Sequence, residues 1–323
     1  MSHDKKVQGR PTWAEINLGA LANNFRVVKA IIGRDVAVMA VVKANAYGHG
    51  AVECARRLAR EGADWFGVAI LEEAITLRES GIKEPILVLG GIWPGQEEAC
   101  IKYHLTPVIY RFDRLKSLER AVRAARMQID VHIKIDTGMG RLGLRAEIAG
   151  EFADQIKNQI DPALIRVVGL MTHFAAADDP AKESFTKTQI DKFRHAVKVF
   201  HDRGLNPTFK NLANTPGIYT QPEARGNMVR AGGILYGLWR DVLPASFTNT
   251  VAHMLQPVMA LRTRICMLKN VPAGETIGYG CTFTTMRMTR VATLPIGYHD
   301  GYPRSLSNIG HAVVRGILAP VIG

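Results

Sequence analysis

The stretch Val36 to Gly62, VAVMAVVKANAYGHGAVECARRLAREG, decides the fold. It opens on an apolar, largely β-branched run and closes on an amphipathic pattern that stops at a glycine. A near-continuous apolar run marks a strand buried on both faces, and a strand followed by a helix is half of a parallel β-α-β unit. The same alternation recurs at 65–70 (WFGVAI), 85–91 (PILVLGG), 106–110 (TPVIY), 131–136 (VHIKID), 167–174 (VVGLMTHF), 209–215 (FKNLANT) and 227–235 (NMVRAGGIL). With VAVMAVVKA at 36–44 that makes eight runs, most of them separated by helical stretches such as LEEAITLRESG and TKTQIDKFRHAVKVFHDRG. Eight units over about 250 residues fit a (β/α)8 TIM-type barrel better than an open doubly wound sheet. A further helix is expected at 18–32, ahead of the first strand.

Past residue 245 the pattern changes. VMALRTRICMLKNV, ETIGYGCTFTT, RVATLPIGY, HAVVRG and APVIG read as strands divided by turn residues, with no helix between them. The expected organisation is therefore a barrel over 1–245 and an all-β, mostly antiparallel domain over 246–323, with which the extreme N-terminal segment can pair. The 323 residues are 47% hydrophobic and 22% charged, ordinary for a globular chain with a large core. There is no apolar run of ~18 residues to span a membrane, and MSHDKKVQGRPTWAEI lacks the apolar centre of a signal peptide. Cys54, Cys100, Cys266 and Cys281 are scattered without metal-ligand spacing, which points to a reduced, cytoplasmic compartment. The net charge of +12 is spread over helical stretches, as in RRLAR and RLKSLERAVRAAR. That is the pattern of solvated helix faces, not of a nucleic-acid footprint.

Barrels of this kind place their active site at the C-terminal ends of the strands. The first run ends in Lys43, with Asn45 and Tyr47 just beyond; the fifth carries Lys134 and leads to Arg141; the sixth ends at His173. The seventh brings Asn214 and Thr215, and the eighth Arg230, Gly232 and Gly233. The loops after the last two strands are the usual phosphate site, where a threonine hydroxyl and bare glycine backbone suit an anion. A phosphate site opposite a strand-end lysine suggests pyridoxal phosphate, whose aldehyde a lysine amine can bond. Singly, each residue has a plainer reading: a surface lysine, a hydrogen-bonded core histidine, a glycine turn. Their convergence on one rim favours the cofactor. GMGRLG, Gly138 to Gly143, matches the dinucleotide fingerprint G-x-G-x-x-G. It follows the fifth run, not an opening strand, and the acid expected about 20 residues on would be Asp161, in a loop before a proline.

AVVKANAYGHG resembles the pyridoxal-phosphate attachment signature of the alanine racemase family. RPTWAEINLGALANNF, KIDTGMGRLG, MTHFA, RAGGILYGL, IGYG and PIGYHDGYPRSLSN resemble segments of the same family in the same order, over nearly the whole chain. The resemblance implies a barrel followed by a β domain, and an isomerase that interconverts L- and D-alanine and supplies D-alanine for peptidoglycan. It also implies a head-to-tail homodimer with shared active sites. Lys43 would carry the cofactor and act as one base, and Tyr279 would be the opposing base, supplied by the partner chain. Tyr47, Thr215, Gly232 and Gly233 would hold the phosphate, with Asn214 and Tyr236 among the cofactor-binding residues. Arg230 would face the pyridine nitrogen and His173 would link Tyr279 to Arg230. Arg141 would reach the substrate carboxylate, Tyr298 would stand near the substrate entrance, and Lys134 resembles a lysine that is often carbamylated. The family continues past the point of Gly323 with an Arg-Val-x-Met-Asp segment, which implies an incomplete β domain here. Thr215 stands where serine is usual, and Gly233 where a larger apolar residue is common. A broad-specificity racemase and a non-catalytic pyridoxal-phosphate carrier remain alternatives; Tyr279 speaks against the second. A barrel decarboxylase is disfavoured, because those enzymes set a carboxylate, not Arg230, at the ring nitrogen.

Overall fold

The computed structural model describes residues 9–244, 246–247 and 253–323. They fall into two compact units, one spanning Asn17–Val258 and the other joining the residues up to Ile16 with Met259–Gly323. The boundary expected at 245/246 touches residue 245, which lies outside the described residues.

The larger unit is the barrel. Helix α1 (Leu18–Ile32) comes first, capped by Asn17, whose side chain accepts from the Ala20 N–H, and closed by Gly33. Eight parallel strands follow: β2 (Ala37–Val41), β3 (Trp65–Val68), β4 (Ile86–Val88), β5 (Thr106–Ile109), β6 (Ile129–Asp136), β8 (Ile165–Met171), β9 (Phe209–Asn211) and β10 (Met228–Ala231). The short β7 (Leu144–Arg145) folds back onto the end of β6. The ladder runs β10-β2-β3-β4-β5-β6-β8-β9, and its ends meet where Arg230 N donates to Ala213 O at 2.9 Å. The outer helices are α3 (Ala51–Arg60), α4 (Leu71–Glu79), α5 (Glu97–Lys102), α6 (Phe112–Ala125), α7 (Ala149–Gln159) and α8 (Glu183–Asp202). Short helices α9 (Thr215–Thr220) and α10 (Trp239–Val242) follow the last two strands. The strands read as unbroken apolar runs because helices cover one face and barrel side chains the other.

Met39, Trp65, Leu87, Val108, Met171 and Met228 fill the interior. Among them His132 is fully buried between Trp65 and Phe209, its ring nearly parallel to Phe209 at 5.9 Å. Neither of its ring nitrogens has a hydrogen-bond partner, and burial pushes its pKa down to about 3. It is a neutral packing ring, part of an aromatic plug.

Among its described residues the smaller unit consists of strands joined by turns and by the short 3-10 segments Tyr279–Cys281, Tyr298–Asp300 and Arg304–Leu306. β1 (Thr12–Ile16) pairs antiparallel with β11 (Met259–Thr263), and β12 (Met267–Val271) with β15 (Thr289–Thr293). β13 (Thr276–Ile277) pairs with β14 (Phe283–Thr284), and β16 (His311–Val314) with β17 (Ile317–Pro320), again antiparallel. Arg10 pairs with Asp300, tying the lead-in to β1 to the same unit. Two runs differ from their reading as single strands: VMALRTRICMLKNV breaks into β11 and β12, and ETIGYGCTFTT turns at Tyr279–Cys281 between β13 and β14.

Candidate active site

The first barrel strand stops at Val41, short of the lysine expected to end it. Val42 N still donates to Gly67 O at 2.9 Å, and then the chain changes hand. Ala44, Asn45, Ala46 and Tyr47 all have positive φ, at 52°, 52°, 56° and 54°. The segment α2 (Lys43–Tyr47) is thus a left-handed turn built without glycine, a conformation that crowds each Cβ against a carbonyl. Hydrogen bonds from Ala46 N to Val42 O and from Gly48 N to Ala44 O hold it internally. Asn45 Oδ1 accepts Ala51 N at 2.8 Å and so ties the turn to the start of α3. Glu73, in the first turn of α4, accepts Ala44 N on Oε1 and Ala69 N on Oε2.

Around Lys43 the strand ends deliver cations. Burial lowers the Lys43 pKa first, Arg141 and Arg230 lower it further, and Glu73 opposes them. Lys134, on β6, falls to about 8, again mainly through burial, with Arg230, Arg141 and Lys43 adding to it and Asp136 opposing. Arg141 stands on the turn between β6 and β7, whose start is fixed by Asp136: its carboxylate accepts Gly138 N and Gly140 N at 3.0 and 3.1 Å. Gly143 closes that turn at φ 134°, and a Cβ there would lie 2.6 Å from Asp136 N. The G-x-G-x-x-G spacing therefore has a structural explanation in the turn that returns β7 onto β6.

Arg230 is fully buried on β10 and donates to Asn211 O at 2.9 Å, Thr172 O at 2.8 Å and Leu212 O at 3.1 Å, and closely to Asn211 Oδ1. None of its hydrogen-bond partners among the described residues is a carboxylate. Burial pushes the guanidinium down to about 9, so it stays charged at neutral pH. His173, two residues past β8, is driven down to about 2 by burial and then by Arg230, Lys134, Arg141 and Lys43. It is neutral, so its Nδ1 accepts from Arg230 at 3.1 Å and its proton belongs on Nε2. Gln189 of α8, also buried, donates to His173 O at 3.1 Å and to Thr137 Oγ1 at 3.2 Å, which fixes this segment.

Across the rim, Gly232 N donates to Thr215 Oγ1 at 3.0 Å. A Cβ on Gly232 would lie 2.8 Å from the Tyr47 hydroxyl, so glycine alone leaves Tyr47 its place. Burial raises the Tyr47 pKa, which keeps its hydroxyl a donor. Gly233 starts the turn after it and faces Val242 and Leu238. Two of the residues expected at the cofactor also bond to the fold. Tyr236 packs against Tyr47 with ring centroids 5.0 Å apart and planes tilted by 44°, and its hydroxyl donates to Val41 O at 2.9 Å. Asn214 caps α9, its side chain accepting Gly217 N and donating to Phe174 O. Both hold the rim through the fold itself. Tyr279 and Tyr298 lie in the smaller unit, 87% and 75% exposed.

This donor set fits an anionic, phosphate-bearing group. Lys43, Lys134, Arg141 and Arg230 influence one another, while the carboxylates that oppose them, Asp136 and Glu73, are already bound to backbone N–H groups. Beside them the bare Gly232 backbone, Tyr47 and Thr215 form a small polar cradle.

Residues 16–239 match the family model described as alanine racemase, N-terminal domain, and residues 258–323 the one described as alanine racemase, C-terminal domain. The chain is 43% identical to an alanine racemase of Halothermothrix orenii over 97% of its own length and 80% of that protein's. It is 41% identical to one of Symbiobacterium thermophilum, with 97% and 81% covered. The solved alanine racemase of D-cycloserine-producing Streptomyces lavendulae superposes with a TM-score of 0.90 at 34% identity, over 98% of this chain and 82% of that one. The Bartonella henselae alanine racemase, solved with covalently bound pyridoxal phosphate, gives 0.82 at 27% identity, over 98% and 83%.

Proposed function

The chain belongs to the alanine racemase family and is an amino-acid isomerase of that kind; on this premise we propose that it interconverts L- and D-alanine with pyridoxal phosphate carried on Lys43. The observation that carries the cofactor assignment is the cation cluster around Lys43, whose opposing carboxylates are spent on backbone groups.

Bound pyridoxal phosphate supplies an electron sink that makes an amino acid's Cα proton acidic. Everything else falls to side chains. Tyr47, Thr215 and the Gly232 backbone would hold the phosphate, with Gly233 extending the same turn. Arg230, locked by backbone carbonyls, would face the ring nitrogen as a donor that does not release its proton at neutral pH. Arg141 would hold the substrate carboxylate. Lys43 Nζ would take or return the Cα proton on one face, and its lowered pKa suits an amine base working nearer neutrality. Tyr279 Oη would do so on the opposite face. The exposure of Tyr279 supports its delivery to a second chain, so a head-to-tail homodimer belongs to the proposal. There the partner subunit's Tyr279 would serve this chain's Lys43, with His173 linking it to Arg230 and Tyr298 near the entrance. Carbamylation of Lys134 is supported by its depressed pKa, since only the neutral amine adds carbon dioxide. A cytoplasmic place and a supply of D-alanine for peptidoglycan complete the reading; the four cysteines are unpaired, and no helix among the described residues is long and apolar enough to cross a membrane.

The test is deuterium exchange at alanine Cα in D2O. Lys43→Ala should abolish exchange and the cofactor's visible absorbance. Tyr279→Phe should suppress proton transfer mainly on one enantiomer's face; small, equal losses for both enantiomers would sink the two-base reading. Assays across alanine, serine and lysine separate an alanine enzyme from a broad-specificity racemase.

A further inference from the structure

Glu73 stands where two barrel strands end. It lies in the first turn of α4, where an acidic residue is ordinarily explained by the helix dipole. Its contacts say more. Oε1 accepts Ala44 N at 2.6 Å and Oε2 accepts Ala69 N at 2.7 Å. Ala44 follows Lys43 and is the first of the four left-handed residues; Ala69 directly follows β3. One carboxylate therefore joins the lysine's turn to the neighbouring strand. A strained backbone persists only where its surroundings over-determine it. Glu73 holds the near end of this turn, as Asn45 and Ala51 hold its far end.

We propose that Glu73 is a positioning residue for Lys43: its carboxylate fixes the left-handed turn from which the lysine projects and supplies the amine with a counter-charge. The proposal rests on Lys43 being the cofactor-bearing residue. Glu73 need touch neither substrate nor cofactor; it acts through Ala44 and through its field. The charged groups acting on Lys43 are Arg141, Glu73 and Arg230, and Glu73 is the anion among them; Lys134 and His173, packed into the same cluster, in turn feel the charge of Lys43.

Two effects of opposite sense follow on the same lysine. Without the carboxylate's charge, the Lys43 pKa falls further and the free amine reacts faster at neutral pH. Without its tether, the turn relaxes and the cofactor is retained for a shorter time. A merely structural residue produces no such split.

The variants are Glu73→Gln, which keeps one acceptor oxygen and loses the charge, and Glu73→Ala, which loses both. Asp64→Asn is the control, because Asp64 Oδ2 accepts Val38 N at 2.7 Å at the opposite end of β2, away from the cation cluster. The first readout is the pH profile of Lys43 acetylation by acetic anhydride in the apo full-length chain, mapped by mass spectrometry. The second is the dissociation rate of pyridoxal phosphate from the reconstituted chain, followed by its visible absorbance. Glu73→Gln should shift the acetylation midpoint to lower pH and release cofactor about tenfold faster, and Glu73→Ala up to ~100-fold faster, the range expected for loss of charge-assisted hydrogen bonds. Asp64→Asn should lower thermal stability and leave both readouts at the wild-type value. A Glu73→Gln chain with wild-type midpoint and release rate would overturn the proposal, and it decides the matter even if Glu73→Ala fails to fold. Failure of the wild-type chain to take up pyridoxal phosphate would instead strike at the role of Lys43, while the apo acetylation profile still reads the Glu73–Lys43 coupling.

Discussion

Replacing Ala44 by glycine should stabilise the chain. Ala44 is exposed, at φ 52° and ψ 50°, so no burial is lost with its methyl group. In this conformation a Cβ crowds the carbonyl by about 1–2 kcal/mol, which glycine relieves. Glycine's greater freedom in the unfolded chain costs about 0.5–1 kcal/mol. The difference is a net gain of ~0.5–1 kcal/mol, or roughly 1–4 °C in Tm for a unit of this size. In a right-handed helix the same change loses about 1 kcal/mol. Ala124, exposed in the right-handed helix α6, is the matched comparison: Ala124→Gly should lose that amount. Ala44→Val should lose more, because a β-branched side chain fits positive φ worse still. Urea unfolding of the apo chain, compared at the transition midpoints, measures all three. If Ala44→Gly and Ala124→Gly fell together by about 1 kcal/mol, the turn after Lys43 would not be left-handed and the strain reasoning would fail.

Gly232→Ala places a Cβ 2.8 Å from the Tyr47 hydroxyl and should weaken pyridoxal-phosphate binding by about tenfold or more, read by equilibrium dialysis. Arg230→Lys leaves buried carbonyls of Asn211, Thr172 and Leu212 short of donors and should cost at least ~2 kcal/mol in denaturant unfolding. Lys134 titrates near 8 in the folded apo chain against 10.5 when unfolded, so between those values the unfolded chain binds more protons. Apo stability should therefore rise with pH across that window, and a bound phosphate dianion should flatten the rise; a fall in apo stability there would contradict the buried-cation account.

The strand runs were legible because a parallel barrel buries both faces of each strand, leaving an apolar signal at every turn of the repeat. The strand-end residues followed from the barrel rule, and Lys43, Lys134, Arg141, His173 and Arg230 do share one electrostatic environment. The left-handed turn was not legible. KANAY contains no glycine, and only Asn45 tolerates positive φ readily; the turn is held by the short-range bond of Asn45 to Ala51 and the distant one of Ala44 to Glu73. Glu73 and Gln189 were invisible for the same reason, since each reads as an ordinary helix residue until the strands are placed beside it. Asp136 could have been found: an aspartate before Thr-Gly is a local turn signal. Tyr236 and Asn214 show a further layer that the sequence does not display: besides standing at the rim, each bonds to the fold, Tyr236 to Val41 O and Asn214 to Gly217 N and Phe174 O.

The aromatic plug of Trp65, His132 and Phe209 has a kinetic consequence. Packed rings occupy the barrel interior between these strands. Lys43 stands just past the carboxyl end of the first barrel strand, so molecules are expected to reach and leave it by that mouth. For a reaction whose two sides are mirror images, substrate and product then queue at one doorway. A compound lodged there would hinder both directions, whichever enantiomer is supplied.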